Sequence, residues 1–307
     1  MAGGAGFIGS HLVDYLIENN NEVLVLDNLV SGFKEFINPK AKFIHFDITR
    51  DEEDLREILE FNKIEFVFNY VAEPFIPVSF KRPLHVFNIN AFGALKVLNA
   101  AHEAGVKRIL QVSSAEIYGE ADGKITEDTP VTPHSSYGVS KAAIDGMVQV
   151  GWKERRTPAI AMRQFNCYGP RETHEYVIPV IIEQLSKGNR VKLGNNSTRD
   201  FQYAGDAARM AVELLEKGEL GQVYNMGSEE TIKIYDLAHL IGKIMGHEKI
   251  DIIVDEKRKR PWEIWHLQSD NTKLFKVIER RPETPFVKGL IKTIEDFNKN
   301  GWKFTSS

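Results

Sequence analysis

A tyrosine and a lysine four residues apart, Tyr137 and Lys141, form a pair whose spacing could do chemistry. On a helix, such residues lie on one face, so the phenol and the ammonium would be neighbours. Nearby positive charge favours the phenolate, and the tyrosine could then act as a base near neutral pH. Ser113 ends the preceding predicted strand and Ser114 follows it, at the end of the strand where open α/β sheets bind ligands. The spacing alone is a weak signal, and the context gives it weight.

Glycines near the start of the chain indicate that a dinucleotide binds there. Gly4, Gly6 and Gly9 match the Gly-x-Gly-x-x-Gly fingerprint, and Gly3 adds the related Gly-x-x-Gly-x-x-Gly spacing. Such glycines let the backbone turn tightly and approach a pyrophosphate at the N-terminus of the following helix. Asp27 ends the next predicted strand, where a carboxylate can accept both ribose hydroxyls and repel a 2′-phosphate. The pattern therefore favours NAD over NADP.

These groups need a scaffold, and short apolar runs that alternate with helical stretches predict parallel βαβ units. The predicted strands are 22–27, 42–46, 65–71, 107–113 and 158–164, and the predicted helices are 10–19, 51–62, 84–104 and 136–155. Near-continuous apolar strands fit a sheet that is covered on both faces. We therefore expect an α/β fold with a doubly wound (Rossmann) parallel sheet, followed by a smaller mixed α/β substrate-binding domain.

The predicted domains interleave along the chain. The NAD-binding domain is expected at 1–164 with 203–227 returning to it, and the substrate-binding domain at 165–202 and 228–307. The fingerprint should directly follow the first strand of the sheet, yet only two residues precede it. We therefore expect this strand to be missing because the sequence starts late, by truncation or through a misassigned start codon. Its neighbours would then carry unpaired backbone groups.

Composition argues against several classes of protein. The 307 residues include 39 lysines and arginines against 43 aspartates and glutamates, so no strongly basic face for nucleic acid is implied. No apolar run is long enough to cross a membrane, and no secretory signal peptide opens the chain. Cys167 is the single cysteine, which excludes an internal disulfide and indicates the cytoplasm. The histidines are too scattered to predict a metal site.

Together the motifs resemble those of the extended short-chain dehydrogenase/reductases, the NAD-dependent sugar-nucleotide epimerase/dehydratase family. The resemblance covers essentially the whole length apart from the first strand. It is carried by Gly3 to Gly9, Asp27-Asn28, Asp47-Ile48, Asn90 to Gly93, Ser113 to Gly119, Tyr137 to Lys141, Asn166 to Pro170, Arg199 to Tyr203 and Arg260-Pro261. It implies an NAD-dependent enzyme, and a homodimer formed through the predicted helices 84–104 and 136–155.

The resemblance also implies roles for single residues. Ser114, Tyr137 and Lys141 would form the catalytic triad, and Asn90 would support the helix that carries it. Asn166, Arg199 and Arg260 would hold the diphosphate and nucleotide of a nucleotide-sugar substrate, and Glu73 would face the sugar. The residues implied to bind the cofactor are Gly3, Gly6, Phe7, Ile8, Gly9, Asp27, Asn28, Asp47, Ile48, Val71, Ala72, Asn90, Tyr137 and Lys141.

In the implied reaction, Tyr137 removes the proton of the sugar 4-hydroxyl while hydride leaves carbon 4 for NAD⁺, which gives a 4-keto sugar. A 4-epimerase returns the hydride to the other face. A 4,6-dehydratase removes the carbon-5 proton and expels water from carbon 6, which requires a carboxylate beside the triad. Glu116 stands where the family's dehydratases and decarboxylases carry glutamate. The leading prediction is therefore an NDP-sugar 4,6-dehydratase with Glu116 as the acid/base of the elimination.

Three alternatives remain at this stage. An NDP-sugar 4-epimerase is the runner-up and an NDP-uronate decarboxylase the third reading. Glucose-type dehydratases place an aspartate before the glutamate, where this sequence has Ala115; mannose-type dehydratases lack that aspartate as well. An NAD-binding sensor or scaffold without catalysis is the fourth, and the intact set of Ser114, Tyr137 and Lys141 argues against it.

Overall fold

The computed structural model describes residues 1–173 and 176–300. Its strands are β1 (Leu24–Asp27), β2 (Lys42–His45), β3 (Phe66–Asn69), β4 (Arg108–Ser114), β5 (Ala159–Gln164), β6 (Asn166–Tyr168), β7 (Arg190–Leu193), β8 (Thr198–Tyr203), β9 (Val223–Met226), β10 (Thr231–Lys233) and β11 (Asp251–Val254). Its α-helices are α1 (Phe7–Glu18), α2 (Glu52–Phe61), α3 (Ile76–Lys81), α4 (Pro83–Phe87), α5 (Ala94–Glu103), α6 (Ser136–Arg155), α7 (Val177–Ser186), α8 (Ala204–Lys217), α9 (Ile234–Ile244) and α10 (Phe286–Asn300). None of the helices among these residues is long and apolar enough to span a membrane.

The main sheet is parallel, as expected for a doubly wound fold. Strands β3, β4, β5 and β9 are neighbours in that order, and β1 pairs with β2. Ala2 bridges to Leu26 of β1 and to Asn69 of β3, so the first residues join the two groups of strands. The bonds from Ala2 N to Phe68 O and from Leu26 N to Met1 O are both 2.9 Å long. At this edge of β1 and β3, backbone groups expected to be unpaired are therefore paired.

Helices cover both faces of this sheet. On one face, α2, α5 and α6 contribute Leu55, Val97 and Ile144 to a buried cluster. On the other face, α1 and α8 contribute Leu12 and Leu214. Each such side chain stabilises the fold by roughly 1.5–3 kcal/mol when it is fully buried. The sheet is therefore held from both sides, and its strand ends stay in fixed positions.

The irregular region after β5 builds smaller sheets. Strand β8 pairs in parallel with β6 and antiparallel with β10, and β7 pairs in parallel with β11. Helices α7, α9 and α10 cover them with an apolar cluster that includes Ile181, Leu237 and Leu290. Because β6 begins just after β5 ends, this region starts at the carboxyl edge of the main sheet. Residues 301–307, at the end of the predicted substrate-binding segment, lie outside the described residues.

One predicted helix differs in structure. The segment predicted as a single helix, 84–104, is observed as α4 and α5 with a π-helical turn, Asn88–Gly93, between them. The wider turn lets the buried Asn90 side chain bond to the backbone of Glu73. At Gly93 an added Cβ would lie 2.9 Å from Ile48, so the chain passes close to that side chain. These long-range contacts decide the local geometry, and helical periodicity does not report them.

Candidate active site

The predicted site residues come from several strands that end at one edge of the main sheet. Asp27 ends β1 and Ser114 ends β4, while Glu73 lies in the loop that follows β3. Carboxyl ends of parallel strands share an edge, and ligands of open α/β sheets bind there. The edge therefore brings together residues that are far apart in the sequence.

The predicted triad is assembled at the start of α6. The Ser135 side chain caps this helix and accepts a bond from Gly138 N at 3.0 Å. Tyr137 and Lys141 then lie on its buried side, with Lys141 Nζ 6.0 Å from the centroid of the Tyr137 ring. Lys141 Nζ also donates to Val112 O in β4 at 3.1 Å, and a hydrogen bond joins the side chains of Tyr137 and Ser114. Helix, strand and loop thus place the phenol, the ammonium and the hydroxyl together.

Burial governs the proton affinity of both basic groups. It raises the pKa of Tyr137 to about 12, although the hydrogen bond from Ser114 lowers it and the charges of Glu116 and Glu73 raise it further. Burial also lowers the pKa of Lys141 to about 8. We expected Lys141 to lower the pKa of Tyr137 toward neutral pH. This is not met in the chain alone, because desolvation raises that pKa more than the neighbouring groups lower it. The ammonium still remains mostly protonated at neutral pH.

Glu116 is the carboxyl group that the structure places beside this triad. It lies in a short 3₁₀ turn, Ala115–Ile117, and its backbone N–H donates to Ser114 Oγ at 3.2 Å. Burial raises the pKa of Glu116, while the charge of Arg260 is the largest influence that lowers it. Arg260 Nη1 and Glu116 Oε1 are 3.7 Å apart. A carboxyl group whose pKa is raised gives up a proton less readily than a free one, which suits it to act both as a base and as an acid.

Arg199 and Arg260 share the site with two carboxylates. Arg199 Nη2 is 2.8 Å from Glu263 Oε1, and both side chains are buried. Arg199 Nη1 also donates to Thr198 O at 3.0 Å. Since Arg260 pairs with Glu116, two arginines face two glutamates. The positive charge of these arginines is therefore largely balanced within the chain.

Glu73 and Asn90 are joined through the backbone. Glu73 N donates to Asn90 Oδ1 at 2.7 Å, and Asn90 Nδ2 donates to Glu73 O at 3.1 Å. Asn90 therefore holds the loop after β3, whereas the resemblance implied support for the helix that carries Tyr137. The Glu73 carboxylate accepts a bond from Phe75 N and lies 3.9 Å from His85 Nε2. Its charge also acts on Tyr137, which places it near the triad.

The glycine loop forms a cradle with no room for side chains. Gly3 has φ +78°, and a Cβ there would lie 2.8 Å from the backbone of Tyr70 and Val71. A Cβ on Gly9 would lie 2.0 Å from Gly3 O. The loop leads into α1, whose N-cap Gly6 offers no side-chain cap. The backbone N–H groups of Phe7 and Ile8 therefore stand at the start of α1 with no side chain capping them, as they do at helix N-termini that bind anions.

The acidic residues predicted near the adenosine are tied to their own loops. Asp27 accepts bonds from Ala5 N at 3.0 Å and from Leu29 N at 2.9 Å, so it also fixes the glycine loop. Asp47 Oδ2 accepts a bond from Asn28 Nδ2 at 3.2 Å. Each carboxylate oxygen has a second lone pair for a ligand hydroxyl. Ile48, next in the chain, is buried.

The remaining predicted residues border the same edge. Val71 and Ala72 are half-buried in the loop after β3, and Asn166 is half-buried at the start of β6. Cys167 follows Asn166, and burial raises the pKa of its thiol well above the ordinary range. The thiol therefore stays neutral, as expected of a packing residue. Among the described residues, no group of three or more His, Cys, Asp or Glu side chains could hold a metal ion.

Comparison with known proteins agrees with this geometry. Residues 1–227 match the NAD dependent epimerase/dehydratase family. The chain is 32% identical to the dTDP-D-glucose 4,6-dehydratase of Homo sapiens, over 99% of this chain and 91% of that protein. It also superimposes on a UDP-glucose 4-epimerase from Thermotoga maritima with a TM-score of 0.90 and 30% identity, over 97% of this chain and 98% of the other.

The chain belongs to the NAD-dependent epimerase/dehydratase family. A further family structure, a dTDP-glucose 4,6-dehydratase from Streptomyces venezuelae with NAD bound, has a TM-score of 0.89 and 27% identity, over 97% of this chain and 96% of the other. The predictions of family, fold, enzyme class and cofactor are thereby confirmed. Relatives of both activities are equally similar, so the comparisons establish a sugar-nucleotide epimerase or dehydratase and leave the choice between them open.

The residues present fit the family's cofactor. The glycine cradle would be filled by any Cβ at Gly9, and Asp27 ends the strand next to it. The uncapped N-terminus of α1 supplies amide donors for a pyrophosphate. These groups therefore have the chemistry that the phosphates and ribose of NAD require.

Sequence reasoning missed two residues of this region. Glu263 holds Arg199 and accepts a bond from Asn195 Nδ2 at 2.6 Å. In the sequence, Glu263 could have been found as an acidic residue three positions after Arg260, in a loop that carries a predicted site residue. The charge of His134 lowers the pKa of Glu116. Its signal was its place one residue before the N-cap of α6.

Proposed function

We propose that this protein is an NAD-dependent NDP-sugar 4,6-dehydratase. The observation that carries the proposal is Glu116, a half-buried carboxyl group of raised pKa at the triad. A 4-epimerase needs only a base for the 4-hydroxyl, which Tyr137 can supply. Elimination of water also needs a group that removes the carbon-5 proton, and a carboxyl group of raised pKa suits that step.

In this proposal each residue of the triad has a separate task. Tyr137 takes the proton of the sugar 4-hydroxyl, and Ser114 stabilises the phenolate through its hydrogen bond. Lys141, which is mostly protonated at neutral pH, adds positive charge on the same helix face. When bound, NAD⁺ would supply a hydride acceptor for carbon 4, a hydride donor for carbon 6 and a positive charge that favours the phenolate.

Glu116 then serves the elimination. Its carboxylate takes the carbon-5 proton, the electrons of that bond form the carbon-5 to carbon-6 double bond, and the carbon-6 hydroxyl leaves. Glu116 returns its proton to the departing oxygen, so water is released and the carboxylate is restored. When the hydride is added at carbon 6, carbon 5 takes a proton from solvent. Tyr137 releases to solvent the proton that it took from the 4-hydroxyl, so the protons balance. Because Ala115 cannot act as an acid, Glu116 serves both as the base that removes the carbon-5 proton and as the acid that protonates the leaving hydroxyl.

Cofactor and substrate are held by separate sets of residues in this proposal. Gly3 to Gly9 with Phe7 and Ile8 hold the pyrophosphate of NAD, and Asp27 holds the adenosine ribose. Asn28, Asp47 and Ile48 border the adenine, and Val71 and Ala72 lie along the cofactor. Asn166 with Arg199 and Arg260 binds the diphosphate and nucleotide of the substrate, while Glu73, held by Asn90, faces the sugar.

Product analysis tests the proposal. Purified protein is incubated with UDP-, GDP-, CDP- and dTDP-hexoses and UDP-uronate, and the product masses are measured. Loss of one water from a hexose supports the dehydratase. Unchanged mass with altered configuration would replace it with the epimerase, and loss of carbon dioxide from the uronate would replace it with the decarboxylase.

A pair of variants links the product to the residue. Glu116→Gln keeps the size of the side chain and removes its acid/base function, so dehydration should be abolished. Glu120→Gln, four residues further along the chain, is the matched control, because Glu120 is an exposed residue that accepts a bond from Trp265 N. Dehydration that survives in Glu116→Gln would exclude the proposed role.

A 4-epimerase is the second candidate. Ala115 supports it, since some epimerases carry a small residue there, and the Thermotoga maritima relative supports it as well. For this activity Tyr137 alone handles the 4-hydroxyl proton. Glu116→Gln would then retain most of the turnover, which separates the two candidates.

The surface of α4, the π-turn and α6 supports a homodimer as part of the proposal. Leu84 is 86% exposed, Phe92 57% and Val139 47%. Exposed apolar side chains on neighbouring helices favour association. One chain has a mass of 34.9 kDa, and gel filtration of the purified protein should give twice that mass. Leu84→Glu should shift elution toward the monomer, and a monomeric parent protein would refute this point.

A further inference from the structure

Gln164 is the last residue of β5, at the carboxyl edge of the main sheet. In the parallel register of β4 and β5, it is the partner of Ser114. Neighbouring strands lie about 4.8 Å apart, and side chains in register on them share one face of the sheet. Ser114 in turn is hydrogen-bonded to the Tyr137 phenol. Gln164 therefore lies beside the triad, although sequence reasoning did not select it.

The side chain of Gln164 lies on the face of the sheet that α1 covers. Arg163, one residue earlier, faces α6, because its Nε donates to Asp145 Oδ1 at 3.1 Å. Side chains alternate between the two faces along a strand, so Gln164 faces the other way. Met162, two residues before Gln164, packs in the same buried cluster as Leu12 of α1. Gln164 is therefore on the side of the helix whose N-terminus suits the pyrophosphate of NAD.

The Gln164 amide has its two protons in use and its oxygen free. Nε2 donates to Gln202 Oε1 at 2.9 Å and to Met226 O at 3.0 Å. An amide turned by half a rotation would set Oε1 against these two oxygens, so its orientation is fixed. Gln164 is 7% exposed, and Oε1 is buried without a hydrogen-bond partner among the described residues. Because a buried acceptor without a donor is costly, this atom calls for a ligand that donates.

We propose that Gln164 is a cofactor-binding residue whose Oε1 accepts a hydrogen bond from the carboxamide NH₂ of the nicotinamide and so orients the ring. The nicotinamide has to come to Tyr137, because hydride leaves the carbon whose hydroxyl this residue deprotonates. It is also tethered to the pyrophosphate, for which the start of α1 is suited. Gln164, beside Ser114 and on the face of α1, meets both requirements. The inference goes beyond the proposed function, since a dehydratase and an epimerase use the same ring.

Calorimetry on the full chain, cleared of bound nucleotide, tests the proposal with NAD, 3-acetylpyridine adenine dinucleotide and ADP-ribose. The acetylpyridine analogue carries a methyl group in place of the carboxamide NH₂ at unchanged charge, and ADP-ribose lacks the ring. Wild type should bind NAD about tenfold more tightly than the analogue, the effect of one buried hydrogen bond. No sugar nucleotide is present, so the result does not depend on which reaction the enzyme catalyses.

A variant assigns this preference to the residue. Gln164→Met keeps the length of the side chain and removes the acceptor, so it should bind NAD and the analogue equally while its affinity for ADP-ribose stays as in wild type. Gln149→Met replaces a half-buried glutamine further along α6 and is the matched control, which should keep the preference of wild type. Thermal unfolding checks that both variants fold. If Gln164→Met does not fold, the comparison of the two dinucleotides in wild type still decides.

Equal affinity of wild type for NAD and the analogue would overturn the inference. A Gln164→Met protein that loses affinity for all three ligands alike would also overturn it, because the residue would then act through packing alone. One that keeps the preference and loses affinity for UDP-hexoses would give the free acceptor to a sugar hydroxyl instead. Absence of a dehydrated product in the separate product analysis would refute the proposed function and leave this inference standing.

Discussion

Replacement of Lys141 by methionine should stabilise the protein while it removes activity. Lys141 is 2% exposed, and burial lowers its pKa from 10.5 to about 8. At roughly 1.4 kcal/mol per pKa unit, the folded state bears a penalty of about 3 kcal/mol for the buried charge. The bond to Val112 O is lost in Lys141→Met, which costs about 1 kcal/mol. The expected net gain in the free energy of unfolding near neutral pH is therefore about 2 kcal/mol.

The gain has a definite dependence on pH. Below about pH 8, Lys141 is charged in both the folded and the unfolded state, and the penalty is full. Between 8 and 10.5 the folded state has released the proton while the unfolded state retains it, so the penalty falls as the pH rises. Above 10.5 the electrostatic part of the difference between variant and wild type should vanish.

Urea unfolding at several pH values, without added nucleotide, measures this difference from the midpoint and the slope. Lys153→Met is the matched control, because Lys153 lies exposed on the same helix. Its effect should be small and independent of pH. A Lys141→Met protein that is no more stable than wild type near neutral pH, with a constant difference up to high pH, would refute the reasoning.

Three further changes test the scaffold. Gly9→Ala places a Cβ 2.0 Å from Gly3 O, so calorimetry should show loss of NAD binding, and retained affinity would contradict the cradle. Asp27→Asn should weaken NAD binding about 10- to 100-fold, the scale of a charge-assisted hydrogen bond, and an unchanged Kd would exclude its ribose contact. Arg163→Met strands Asp145, whose Oδ2 lies 2.9 Å from Arg163 Nη2, and should cost about 3–5 kcal/mol in denaturant unfolding; a loss below about 1 kcal/mol would contradict that estimate.

Local patterns in the sequence predict most of the nucleotide-binding half. The strands that end at Asp27 and Ser114 are short apolar runs, and the glycine loop is a motif of fixed spacing, so both follow from neighbouring residues. The four-residue spacing of Tyr137 and Lys141 predicts the helix that carries them, and Ser135 is a typical N-cap at its start. In each case the information lies within a few positions of the element.

The rest depends on contacts between distant positions. Glu263 neutralises Arg199 across 64 residues of sequence, and no local pattern signals that pair. Asn90 opens a π-turn because its partner is the backbone of Glu73, which becomes a neighbour only in the folded chain. The raised pKa of Tyr137 likewise reflects burial beneath loops whose course the sequence does not specify.

The central claim is that Glu116 removes the carbon-5 proton. A reaction with the preferred NDP-hexose in deuterated water tests it most directly, because only elimination exchanges the carbon-5 hydrogen with solvent. We predict a product that has lost one water and carries one deuterium at carbon 5, and no such product from Glu116→Gln. A product of unchanged mass without deuterium, formed equally by Glu116→Gln, would contradict the account.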